Sequence, residues 1–82
     1  MFSIKWTQRA LDELNTLETS IATRIIKKID ALLENPYSKD IRRLKGEKAF
    51  MIRVGDYRVI FEIEQDILRI LKVGHRKHIY KR

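Results

Sequence analysis

The apolar residues of this chain change period once. Over residues 10–33 they recur every three or four positions, and over residues 49–73 mostly every second position. The first spacing lines one face of a helix; the second lines one face of a strand. A chain of 82 residues has room for one core, so a helical layer must cover a sheet.

Read in order, Phe2, Ile4 and Trp6 alternate with Ser3 and Lys5, which predicts a short leading strand. Thr7 is placed to cap a helix whose apolar stripe is Ala10, Leu11, Leu14 and Leu17. Thr19 or Ser20 opens a second helix on Ile21, Ile25, Ile29 and Leu32, with Ile26 and Leu33 widening that face and Asn35-Pro36 stopping it. So short a connection predicts an antiparallel helical hairpin. Residues 37–46 read as a polar connector carrying Lys39, Arg42, Arg43 and Lys45.

Three strands are expected after it, over residues 49–54, 57–64 and 67–73, joined by two-residue turns at Gly55-Asp56 and Gln65-Asp66. The third, apolar on both faces except at Arg69 and Lys72, reads as the central strand. The expectation is an α+β domain over residues 1–82, ordered β-α-α-β-β-β, with an antiparallel sheet and a two-helix hairpin on one face.

A composition of 44% hydrophobic and 35% charged residues is that of a globular chain. Without cysteine there is no disulfide framework and no thiolate site, which is compatible with the cytoplasm. No run of 18 apolar residues occurs, so neither a secretory signal nor a membrane span is expected. Eighteen Lys and Arg against eleven Asp and Glu leave a net charge of +7, and residues 67–82 hold no acid at all. Such a surface attracts a polyanion, although a solvated basic tail has the same composition.

Counting outward from Gly55-Asp56 pairs Val54 with Tyr57 and sets Arg53 directly across from Arg58. Like charges facing each other on adjacent strands are destabilising, and a Thr or Glu at either position would remove the conflict. A bound phosphate resolves it, because each guanidinium forks onto its oxygens. Screening by Glu62, Glu64 or Asp56 is the alternative, but the same count puts Glu62 opposite Arg69. Carried to the next strand, it pairs Arg58 with Val73, just before Gly74-His75-Arg76. Strict alternation would then bring His75 to the arginine face and turn Arg76 away, unless Gly74 bends the strand.

Metal hydrolysis has little support: His75 and His78 have no carboxylate beside them in the sequence, and no metal ligand set or cofactor is expected. Ribonuclease chemistry needs none. The 2′-hydroxyl attacks the adjacent phosphate while a base takes its proton, an acid protonates the leaving 5′-oxygen, and fixed cations hold the phosphorane charge. Arg53, Arg58 and Arg76 suit the cationic role, and Tyr80, His75 and His78 are the nearby proton-transfer groups. Tyr57 and Tyr80 are candidates for stacking an exposed base. Lys45, Lys48, Lys72, Lys77, Lys81 and Arg82 would contact the RNA backbone.

Three segments then carry a resemblance: Arg43-Leu44-Lys45-Gly46; Ile52-Arg53-Val54-Gly55-Asp56-Tyr57-Arg58; and Gly74-His75-Arg76-Lys77-His78-Ile79-Tyr80. In this order the chain resembles the RelE/ParE toxin superfamily over nearly its whole length. The resemblance implies a type II toxin neutralised by a co-expressed acidic antitoxin. For the RelE branch it implies ribosome-dependent cleavage of mRNA in the A site, without a metal. It also implies catalytic roles for Arg53, Arg58, Arg76 and Tyr80. Met51 and Arg53 stand where the best-known members carry lysines, which leaves the general base open, with His75 or His78 as substitutes. The ParE branch implies instead a non-catalytic inhibitor of DNA gyrase, and a nucleic-acid-binding module without catalysis is a third reading.

Overall fold

The computed structural model describes residues 2–34, 41–44 and 48–79. Their order is β1 (Ser3–Trp6), α1 (Gln8–Asn15), α2 (Thr19–Ala31), β2 (Ile41–Arg43), β3 (Ala49–Val54), β4 (Tyr57–Glu64) and β5 (Ile67–His75). The strands form one sheet in the order β1-β5-β4-β3-β2. It is an α+β fold, as the change of period predicts. No described helix is long and apolar enough to cross a membrane.

The sheet departs from the expected plan in three ways. β1 lies parallel to β5, so the sheet is mixed and only its remaining pairs are antiparallel. A short edge strand, β2, forms within the polar connector and pairs with residues 50–52 of β3; its arginines are exposed and only Ile41 turns partly inward. The middle strand is β4, and β5 lies between it and β1.

Thr7 caps α1 as expected. Its hydroxyl accepts a hydrogen bond from the Ala10 N–H at 3.2 Å and donates to the Ile70 carbonyl at 2.8 Å, fastening the helix start to β5. Removing such a cap costs about 1 kcal/mol. The Glu13 carboxylate accepts the Val73 N–H at 3.0 Å, serving a stretch of β5 that β1 is too short to reach. α2 starts at Thr19 with Glu18 at the cap position and no side-chain cap bond.

The main core lies between helices and sheet: Ala10 and Leu14 of α1, then Ile25, Ile29 and Leu32 from α2 and its end, pack on Ile52, Val59, Phe61, Leu68, Ile70 and Val73. Leu11, Ile26 and Leu33 are exposed, so the buried stripes are narrower than the sequence suggests. The opposite face carries a smaller apolar cluster of Ala49, Met51 and Ile60, covered by Ile79 as the chain turns back after β5.

Candidate phosphate-binding site

The β3–β4 turn has the expected two residues. Val54 pairs with Tyr57 and Arg53 with Arg58, so both arginines rise from the face opposite the helices. Gly55 takes φ +61°, in the left-handed region that a turn with glycine first demands.

The register into β5 is shifted by one residue. Phe61 pairs with Ile70 but Ile60 with Lys72, so Leu71 is an extra residue, a bulge. Arg58 therefore lies opposite Gly74, not Val73. The shift reverses the faces of everything beyond it. Gly74 comes to the arginine face, where a Cβ would meet Ile79 at 3.3 Å. His75 pairs with Tyr57 on the helix side, its ring edge-on to the tyrosine at 5.3 Å.

β5 ends at His75 and the chain turns, which swings Arg76 back to the cluster. The Arg76 N–H donates to the Asp56 carbonyl at 2.8 Å, so the turn after β5 is tied to the β3–β4 turn. Arg53, Arg58 and Arg76, with Lys28 from α2 and Gly55, line one cleft of about 410 Å³.

Each arginine is held differently. Arg58 donates through one nitrogen to the carbonyls of Gly55 and Tyr57, both at 2.8 Å, which fixes the guanidinium against the turn. Arg76 has an ion pair with Asp56 at 3.9 Å, with both side chains more than half exposed and the attraction correspondingly weak. Arg53 is exposed and has no ion pair among the described residues.

Two of the three acids named as screens are engaged away from the pair, while the third, Asp56, meets Arg76 within the cluster. Glu62 accepts from Arg69 at 2.8 Å and Glu64 lies 3.4 Å from the same nitrogen. The Glu62 hydrogen bond, opposed by some desolvation, raises the Arg69 pKa above its ordinary value.

Of the other expected site residues, His75 lies on the far side of the sheet from Arg53 and Arg58. Its Nδ1 accepts the Lys77 N–H at 3.1 Å, and His78 is exposed with its ring centre 6.1 Å away. Tyr57 is half-buried against the main core. Lys72 pairs with Ile60 on the arginine face. Lys77 is exposed in the turn after β5, and Lys48 lines a separate cleft with Glu62, Glu64 and Gln65 at the other end of the sheet. Lys45, Tyr80, Lys81 and Arg82 lie outside the described residues. Lys28 is a member that the sequence reading did not name. Its signal is its place on α2 beside the buried Ile25 and Ile29, four residues after Arg24.

Residues 4–80 match the model of the ParE toxin of type II toxin–antitoxin systems, parDE. The chain belongs to this family, within the RelE/ParE superfamily.

Toxin RelE3 of Methanocaldococcus jannaschii is 40% identical over 47 residues, 56% of this chain and 53% of that protein, so the match spans about half of the relative's length. The toxin's fold is that of the RelE in the crystal structure of an archaeal RelE–RelB complex from Pyrococcus horikoshii OT3. Identity is 25%, coverage is 94% of this chain and 97% of the other, and the TM-score is 0.82. The RelE chain-type fold recurs in the RelB–RelE antitoxin–toxin complex from Methanococcus jannaschii, with 28% identity, 93% and 94% coverage and a TM-score of 0.75. In this toxin the arginine cleft is therefore built on a RelE scaffold.

Proposed function

We propose that this toxin is an endoribonuclease of the RelE kind, cutting mRNA in the ribosomal A site without a metal and so stopping translation. The observation that carries the reading is the cleft in which Arg53, Arg58, Arg76 and Lys28 meet while Glu62 and Glu64 are bound to Arg69. A phosphodiester there gives counter-charge to Arg53 and Arg58, and to Arg76, whose exposed pair with Asp56 is weak.

In the reaction the 2′-oxygen bonds to phosphorus and the 5′-oxygen leaves, giving a 2′,3′-cyclic phosphate and a 5′-hydroxyl. Arg58, held by two carbonyls, is already aimed and needs little reorganisation to meet charge gathering on the phosphorane. Arg53 and Arg76 add to that field from the neighbouring strand and the turn after β5. Tyr80, which the family resemblance places among the working residues, is assigned to proton transfer. The base falls to one of the two histidines, His75 or His78, whose rings lie 6.1 Å apart, with His75 edge-on to Tyr57. The short chain has little surface for orienting a free strand, so the ribosome supplies that constraint.

The decisive experiment is toeprinting on translating ribosomes. Wild-type toxin should cut within A-site codons, and the Arg58→Ala, Arg76→Ala double variant should be slower by at least about 100-fold, since one such donor alone contributes about two to three orders of magnitude. Unchanged cutting by the variant would sink the assignment.

The family model that matches describes a ParE toxin, and this favours the second reading, a gyrase inhibitor. Supercoiling blocked by the purified toxin while translation continues would select it. In either case the partner is an acidic antitoxin that orders on binding the basic face, and the site of action is the cytoplasm.

A further inference from the structure

The arginine cleft does not end at Arg53. A second cleft of about 370 Å³ runs between α2 and the β3–β4 turn, lined by Arg24, Lys27, Ala31 and Val54, and shares Lys28, Arg53 and Gly55 with the first. A strand leaving one cleft therefore enters the other directly.

Its chemistry differs from that of the first. The arginine cleft is almost wholly polar in its lining, whereas here Ala31 and Val54 give an apolar floor beneath a cationic rim. That combination suits a nucleotide, with phosphate at the rim and sugar on the floor. Arg24 and Lys27 are exposed and neither has an ion pair among the described residues. Arg24 also sits three residues before Lys27 and four before Lys28, like-charge spacings that weaken an isolated helix. The turn accommodates Arg24 closely: a Cβ on Gly55 would lie 3.2 Å from its terminal nitrogen. One glycine thus carries the carbonyl that holds Arg58 and leaves room for the guanidinium of Arg24 above it.

We propose that this cleft is a second phosphate subsite, in which Arg24 and Lys27 hold the backbone phosphate next to the one gripped by Arg53, Arg58 and Arg76. The proposal rests on the phosphate reading of the arginine cleft and extends it along the same RNA strand. An acidic protein segment would also be attracted here, but the apolar floor beside the rim and the continuity with the arginine cleft favour RNA.

The test uses the full chain and 2′-O-methyl oligonucleotides, which lack the attacking hydroxyl, with one, two or three bridging phosphates. Binding is followed by calorimetry at several salt concentrations. For wild-type toxin the second phosphate should tighten binding about tenfold. In the Arg24→Gln, Lys27→Gln variant that gain should shrink below about twofold, with the dependence on log salt shallower by about one, while the one-phosphate ligand binds as before. A second phosphate that helps the variant as much as the wild type overturns the subsite, as does equal weakening of every ligand. Absence of any dependence on phosphate number in the wild type also overturns it, and would point to the acidic segment. Arg58→Gln separates the two levels: intact one-phosphate binding there refutes the arginine cleft, while the subsite is still judged by the gain from the second phosphate.

Discussion

The two hairpin turns of the sheet make an informative pair. At one end, Gly55-Asp56 is flanked by Arg53 facing Arg58; at the other, Gln65-Asp66 is flanked by Glu62 facing Arg69. Both pairs lie on the face away from the helices, and both turns put their first residue at positive φ, 61° for Gly55 and 56° for Gln65. The Gln65 end is arranged for the fold, with opposite charges 2.8 Å apart across the strands. The Gly55 end sets like charges opposite each other and directs the hydrogen bonds of Arg58 to backbone carbonyls. A protein that places an acid against an arginine at one end of β4 and an arginine against an arginine at the other leaves at the second end a repulsion that a bound anion would relieve.

The contrast can be broken most sharply at Arg53. Arg53→Thr should slow ribosome-dependent cleavage roughly 100-fold in toeprinting. The same change should raise unfolding stability by about 0.2–1 kcal/mol in urea, because it removes the cross-strand repulsion. A variant that loses both activity and stability would mean that Arg53 serves the fold.

The turns themselves give the next largest effect. Gln65→Gly should stabilise by about 0.5–1 kcal/mol in urea titration, since relief of a left-handed non-glycine residue outweighs the added freedom of the unfolded chain. Cleavage should be unchanged. The smallest effect is expected at the charge pair. Glu62→Gln should lower the melting temperature slightly and leave cleavage alone, because it weakens a partly exposed ion pair remote from the arginine cleft. A fall in cleavage with Glu62→Gln would dissolve the division of labour between the two ends.

Much of this could be read from the residues before any coordinates. Two-residue turns impose parity, so the pairing of Arg53 with Arg58 and of Glu62 with Arg69 follows from counting. What counting misses is the bulge at Leu71. The run Ile67-Leu68-Arg69-Ile70-Leu71-Lys72-Val73 is apolar on both faces except at Arg69 and Lys72, whose spacing of three is its one local mark: strict alternation would put them on opposite faces, and the bulge puts them on one. That one slip carried Gly74 to the arginine face and His75 to the side of Tyr57.

β2 was hidden for a different reason. Two of its three side chains are exposed arginines, and its strand form comes from pairing with β3, a long-range effect with no local pattern. Ile26 and Leu33 show the reverse error: apolar residues at helical spacing that stay exposed, Leu33 lying beyond the end of α2 at Ala31. The part played by Lys28 and Arg24 depends on where α2 crosses the β3–β4 turn, and periodicity within one helix does not specify that.

Because Arg53 and Arg58 share a face through the register in which β3 and β4 pair, the cluster is sensitive to that register as well as to composition. A slip of β4 by one residue against β3 would turn Arg58 toward the helices while every side chain remained chemically intact. Such a hairpin is thus free to exchange residues within its turn yet intolerant of any change that shifts its pairing, since a slip scatters the arginines without altering one of them.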